Sequence, residues 1–392
     1  MRFSPLVSRI GGKGADAWRV HYEAEAAKKQ GCDVILLSVG DPDLQTPPAI
    51  VDCAIEALKA DDTHYTEVAG IDKLRTAIAE QSTFDGVADS ADNVVVFSGA
   101  QNALFAASLC LFSVGDEVII PEPMYVTYEA TIRASGATVV AVPCPAKGGF
   151  RPDFEAMKNA VTKNTRAILF SNPNNPSGAV MEMEELSVIA AIAQQHNLWV
   201  IADEVYCTLT FEKAHINFAA LPGMAQQTIT VGGLSKSLAM TGWRVGWLIA
   251  QTDLVAHVSR LALCMLYGLP GFIQQAAVVG VSHMQNEMQQ MRDIYRRRRD
   301  TVLTLLQDAD GISPTHPQAG MFILIDVRQT GLSSLDFVET LYREEGVSLL
   351  DGGAFGDSAA DFVRLSYAVG DDDLAEGCHR LCRFVNRLRG RA

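Results

Sequence analysis

The chain has 392 residues, 48% of them hydrophobic and 20% charged, with a net charge of −14. That length accommodates two domains with a sizeable core, and the acidic excess argues against nucleic acid or an anionic membrane as the main partner. Eight cysteines lie scattered without a CxxC pair, so metal-ligand spacing is absent and no metal is expected; most of them read as small core residues.

The opening MRFSPLVSRIGGKG lacks the continuous apolar run of a signal peptide, and no stretch approaches twenty uncharged apolar residues. A reduced, cytoplasmic protein without a membrane span is therefore expected. Helical periodicity covers 15–30, followed by a short strand at 34–39 and helices at 49–60 and 71–83. Apolar strands then recur at 94–98, 117–121, 138–142, 167–171, 199–202, 228–231 and 245–250. Helical patterns at 101–113, 126–134, 153–161 and 183–196 fill most of the gaps. Such alternation predicts an α/β domain on a mostly parallel, seven-stranded sheet. Beyond residue 285 the pattern changes to a long helix (284–306), a strand at 321–327, a helix at 334–345, strands at 347–350 and 362–367, and a final helix. This reads as a smaller α+β domain. The basic run Arg296 to Arg299 falls on the long helix and reads as a solvated face or subunit contact.

Ligands of open α/β sheets bind beyond the carboxyl ends of the strands, and unusual residues follow several strands here. Ser98-Gly99-Ala100-Gln101-Asn102 ends one strand and opens a helix. Small residues with free helix N–H groups suit an anion, although an ordinary turn has the same composition. Tyr125 closes Pro-Glu-Pro-Met-Tyr, and Asn175 lies in Asn-Pro-Asn-Asn-Pro-Ser-Gly, too rich in Pro and Asn for regular structure. Asp203-Glu-Val-Tyr206 ends the apolar strand Trp199-Val-Ile-Ala. A carboxylate there needs a partner, or it caps a helix. Between two apolar runs, Gly232 to Trp247 (GGLSKSLAMTGWRVGW) holds Lys236 and Arg244. Cations in so apolar a segment need a partner or a lowered pKa, which is how lysines become Schiff-base formers. Arginine grips phosphate bidentately. A lysine for an aldehyde and an arginine for a phosphate together describe pyridoxal 5′-phosphate (PLP).

From Gly233 to Gly246 the segment resembles the lysine-attachment signature of class I/II aminotransferases, enzymes of the PLP-dependent transferase fold type I. The resemblance covers nearly the whole chain, and it implies a role for each residue above. Gly99, Ala100, Gln101 and Arg244 would hold the cofactor phosphate, with the strand after Arg244 antiparallel. Tyr125 would stack on the ring. Asn175 and Tyr206 would bind its phenolic oxygen, and Asp203 its ring nitrogen, keeping the ring cationic. Lys236 would hold the cofactor and move the proton, so the implied catalytic set is Lys236, Asp203 and Tyr206. Gly40, Asn175 and Arg364, the last after the turn Gly353-Ala-Phe355-Gly, would receive the substrate α-carboxylate. Tyr65 would reach the phosphate of a second subunit, implying a homodimer. Gly233 departs from the serine common in the family, leaving Ser235 as a candidate replacement. Docking of the N-terminal segment on the C-terminal part would give a small domain of 1–45 plus 285–392 beside a large PLP-binding domain of 46–284.

The implied activity is ping-pong transfer of an amino group from an L-amino acid to a 2-oxo acid. Segments Leu261 to Gly268, Pro123 to Glu129 and Ser237 to Thr241 most resemble arginine–pyruvate transaminases. Neutral, aromatic or aspartate-type donors with 2-oxoglutarate remain an alternative, as does a PLP-dependent C–S β-lyase, because function lives in the site. A PLP-sensing regulator would carry a DNA-binding domain, and a Rossmann dehydrogenase would carry a glycine fingerprint this chain lacks.

Overall fold

Continuous apolar runs become strands buried on both faces, as a sheet covered by helices requires. The computed structural model describes residues 2–11, 17–83, 88 and 90–391. In chain order the strands are β1 (Ile35–Leu36), β2 (Val94–Phe97), β3 (Glu117–Glu122), β4 (Thr138–Pro143), β5 (Thr165–Ser171), β6 (Trp199–Asp203), β7 (Thr228–Gly233) and β8 (Gly246–Ile249). β9 (Ser313–Pro314), β10 (Phe322–Asp326), β11 (Val347–Ser348), β12 (Leu350–Asp351) and β13 (Phe362–Ser366) complete the set.

β2 to β8 form a seven-stranded sheet in the order β2-β8-β7-β6-β5-β3-β4. β8 runs antiparallel to both neighbours, and every other pair is parallel. The start of β8 therefore lies on the same sheet edge as the carboxyl ends of β2, β6 and β7. A second, antiparallel sheet has the order β12-β13-β10-β9. β1 leaves the N-terminal segment to pair in parallel with β11, Ile35 opposite Val347 and Leu36 opposite Ser348. Val20, Ile35 and Leu37 share one apolar cluster with Phe337, Val347 and Phe384.

The helix predicted at 15–30 is observed at Arg19–Lys29, and residues 15 and 16 lie outside the described residues. Among the described residues, the one-turn helix Leu6–Arg9 and two long helices, Thr252–Met265 and Gly271–His283, have no counterpart in the sequence reading. The last is buried on several faces, at Gly271, Gln274, Ala276, Ala277, Val278, Gly280 and Val281, so no amphipathic stripe marks it. Its closest packing is against the helix Pro48–Lys59.

The basic run is not a solvated face throughout. Arg298 and Arg299 are buried within the helix Gln285–Leu306. Arg298 makes a bidentate pair with Asp43 at 2.6 and 2.8 Å and a third bond to Asp371 at 2.8 Å. Arg299 pairs with Glu212 and Asp300 and lies over the Phe211 ring. Asp300 is the next residue, but Asp43, Asp371 and Glu212 are distant in sequence, so a local reading could not see those three. The cysteines also divide differently from expectation: Cys144 and Cys378 are buried, whereas Cys32 and Cys264 are exposed.

Candidate active site

All the predicted site residues except Gly99 and Tyr65 line one cavity of about 240 Å³. It opens where the carboxyl ends of the parallel strands meet the start of β8 and the sheet that carries β13. Asp203, the last residue of β6, is 5% exposed. The Tyr128 hydroxyl donates to its Oδ2 at 2.6 Å, and the Val205 N–H to its Oδ1 at 3.3 Å. Burial pushes the carboxyl up to about 6 in spite of the Tyr128 bond. Among the described residues no cation pairs with it, so a cationic N–H placed in the cavity would restore the charged form.

Lys236 follows β7 by three residues and donates from Nζ to the Gly40 carbonyl at 2.8 Å. Burial, aided by Arg364 and Arg244 and opposed by Asp41, brings its pKa down to about 8. The amine is thus much closer to neutral at physiological pH than a surface lysine.

Arg364 lies on β13, only 2% exposed. Its Nη1 donates to Asn175 Oδ1 at 2.9 Å and its Nη2 to the Ser38 carbonyl at 2.7 Å, while Nε is buried without a partner. The guanidinium sits 4.0 Å over the Phe322 ring and 4.8 Å over the Phe355 ring. Desolvation brings its pKa down to about 10. An incoming carboxylate would offset that cost. Tyr206 is buried beside Asn175, and burial raises its phenol well above the ordinary value. Tyr125 meets Tyr128 edge to face at 5.7 Å.

The helix Ala100–Leu111 begins at the cavity, where the N–H groups of Ala100 and Gln101 have no intrahelical acceptor. The Gln101 side chain is turned away: its Nε2 donates to Thr131 Oγ1 at 2.8 Å and its Oε1 accepts from Thr127 Oγ1 at 2.7 Å. Its backbone is what remains for a ligand. Arg244 ends a short turn two residues before β8 rather than opening the strand, with φ at +55°. Its Nη1 donates to the Thr241 carbonyl at 2.7 Å. Gly99, at φ +87°, lies directly behind it; a Cβ there would stand 2.4 Å from Arg244 Nη2. The pair of free N–H groups and the arginine form a cradle suited to a phosphate. Gly233 lines the cavity without a side chain, and a Cβ there would come within 3.1 Å of the Val245 carbonyl oxygen. Ser235 lines the same cavity.

Tyr65 lies outside the cavity, 85% exposed, with its ring 4.8 Å from that of Tyr267. Tyr128, Ser38, Trp18 and Phe322 were not picked out from the sequence. Tyr128 stands three residues after Tyr125, within reach of the same helix face, but its bond to Asp203 spans 75 residues and has no local signature. A cavity with a lysine of lowered pKa, a phosphate cradle and, among the described residues, a buried carboxylate without a cation and a guanidinium N–H without a partner has the donor set that PLP and an amino acid require.

The model of the family described as aminotransferase class I and II matches residues 32–381. The chain is a class I/II aminotransferase. Its family and relatives are PLP-dependent, in keeping with the cradle and Lys236. The aminotransferase is 48% identical, over 100% of both chains, to arginine–pyruvate transaminase AruH of Pseudomonas aeruginosa. It is 33% identical to an aspartate aminotransferase of Pyrococcus horikoshii, over 89% of this chain and 90% of that one. The solved aspartate aminotransferase from Thermus thermophilus with maleate superposes with a TM-score of 0.92 at 30% identity, covering 98% of this chain and 100% of the other. Among the described residues of the aminotransferase, no helix is long and apolar enough to cross a membrane, and no acidic, histidine or cysteine group could hold a metal.

Proposed function

We propose that this aminotransferase takes L-arginine as donor and pyruvate as acceptor, working as a homodimer in the cytoplasm. The observation that carries the substrate reading is the cavity's charge: Lys236, Arg244 and Arg364 are the only basic residues lining it among those described, and each already has a task. Among the described residues a distal carboxylate finds no further cation, which disfavours aspartate and glutamate. Full-length identity of 48% to an arginine–pyruvate transaminase supports the same choice. The division into 46–284 and 1–45 plus 285–392 belongs to this reading, supported by the β1–β11 pairing.

When bound, PLP supplies an aldehyde carbon for amines and a cationic ring that accepts electrons from the substrate Cα. Asp203, steadied by Tyr128, pairs with the ring nitrogen. Tyr206 and Asn175 would bind the phenolic oxygen, Tyr125 would stack on the ring, and Arg244 with the Ala100 and Gln101 N–H groups would hold the phosphate. Arg364 takes both oxygens of the substrate α-carboxylate in its planar fork and so fixes Cα. Lys236 Nζ would hold the cofactor aldehyde and, as a free amine, would move the Cα proton as general base and acid. Its lowered pKa suits both tasks.

The test is to mix the PLP-loaded enzyme with each L-amino acid singly and follow conversion to the pyridoxamine form. Fast conversion by arginine is expected. Fast conversion by aspartate or glutamate with arginine inert would reject the donor and the cation-free pocket together.

A further inference from the structure

We infer that His21 is a positioning residue for amino-acid binding, acting through Ser38 on Arg364. The inference rests on the reading that Arg364 receives the substrate carboxylate. His21 is 9% exposed on the helix Arg19–Lys29, and its Nδ1 lies 2.8 Å from Ser38 Oγ. That oxygen lies 2.8 Å from Ser348 Oγ, and neither serine is exposed. Three polar side chains so placed in an apolar cluster would cost stability unless each satisfied another. They do, and what they hold is the backbone at residue 38.

That backbone leads straight to the chemistry. The Ser38 carbonyl accepts from Arg364 Nη2 at 2.7 Å, and two residues later the Gly40 carbonyl accepts from Lys236 Nζ at 2.8 Å. The preceding residue is pinned on both sides, its N–H to the Ser348 carbonyl at 3.0 Å and its carbonyl to the Ser366 N–H at 2.7 Å. Beyond Leu37 the segment leaves the strand ladder, so the orientation of peptide 38 depends on the side-chain anchor. Burial holds the His21 pKa below its ordinary value, leaving a neutral ring that can donate to or accept from Ser38. Trp18, which precedes the helix and lines the active-site cavity, packs edge to face on His21 at 5.7 Å. The same imidazole therefore links a cavity wall to the arginine's backbone partner.

His21→Ala, His21→Asn, Ser38→Ala, Arg364→Lys and the double variant His21→Ala/Arg364→Lys are compared as PLP-loaded enzymes. The probes are L-arginine, L-alanine, L-aspartate and L-phenylalanine in single-turnover conversion, with thermal unfolding and PLP retention measured alongside. His21→Ala should lower the conversion efficiency of every active donor roughly ten- to a hundredfold, the scale of a small misplacement of a binding group. The loss should lie in the donor concentration needed for half-maximal rate, with PLP retention unchanged. Asn places an amide where Nδ1 stood and should restore most of the loss. Ser38→Ala, which removes one hydroxyl, gives the same kinetic loss and serves if His21→Ala does not fold. In the Arg364→Lys background His21→Ala should add little. Multiplying losses in the double variant, or Asn no better than Ala, would overturn the inference. Unchanged donor kinetics in Arg364→Lys alone would instead reject the carboxylate role of Arg364, and the inference with it.

Discussion

Asp203 carries a cost of burial in the protein without cofactor. Its carboxyl is raised from 3.8 to about 6, chiefly by burial. The folded state thus binds this proton more tightly than the unfolded one, so stability falls as pH rises from about 4 to 6 and stays reduced above. We expect cofactor-free Asp203→Asn to be more stable than the cofactor-free native protein at pH 8 by roughly 2–3 kcal/mol, the equivalent of that shift. The advantage should shrink as pH falls through 6 and vanish near 4. Thermal unfolding of both proteins across that range checks it; a pH-independent difference would mean that Asp203 is not the group responsible. With PLP bound, the same variant should keep the cofactor but lose most turnover, because an amide cannot hold the ring nitrogen protonated. Whereas Gly40, Arg364 and Tyr65 came from the family resemblance alone, Tyr125, Asn175, Asp203 and Lys236 were legible one at a time, each from its place after an apolar strand. The bonds between them were not. Tyr128 with Asp203 and Ser38 with Arg364 join positions 75 and 326 residues apart, and nothing local encodes either.

At the scale of elements, strands were legible because burial on both faces leaves uninterrupted apolar runs, and the helix Met183–His196 because it is polar on one face. Gly271–His283 was not, since it is packed on several sides and contains two glycines. Those glycines differ from the one that opens β8. At Gly280 a Cβ would meet only the methyl ends of Leu234, Leu238 and Ile50. At Gly246 it would meet the backbone: Ala100 N at 2.5 Å, the Gly99 carbonyl carbon at 2.7 Å and the Gly232 oxygen at 3.0 Å. Side-chain tips can turn aside and a strand wedged against a helix start cannot. Gly246→Ala should therefore cost about 1–3 kcal/mol and weaken PLP retention by displacing the Ala100 N–H. Gly280→Ala should be close to neutral, since the helix propensity of alanine, worth about 1 kcal/mol, offsets mild crowding. Thermal unfolding with a PLP titration separates the two, and equal effects would contradict the backbone-contact argument.

For the whole molecule, the residue that looks outward is Tyr65, placed with Tyr267 on the surface and outside the lining of its own cavity. On the homodimer reading it completes the phosphate cradle of the other subunit. Inactive Lys236→Ala mixed with a weakened Tyr65→Phe variant should then form heterodimers with one fully native site. Activity per Tyr65→Phe subunit should rise above that of its own homodimer after mixing. No rise, with heterodimers confirmed by mass, would count against a shared site.

The pairing of β1 with β11 also sets an order in time. Translation delivers residues 35–40 early, yet the strand they pair with begins at Val347, and Arg364 comes later still. At about 5–20 residues per second, Ser38 waits roughly twenty seconds to a minute on the ribosome before its arginine exists. Until then the apolar β1 is an open edge and Lys236 has no completed pocket around it. A nascent or truncated chain that ends before β13 can hold the strands of the large sheet without Arg364, the residue proposed to receive the amino acid. Competence for the reaction arrives only with the last tenth of the polypeptide.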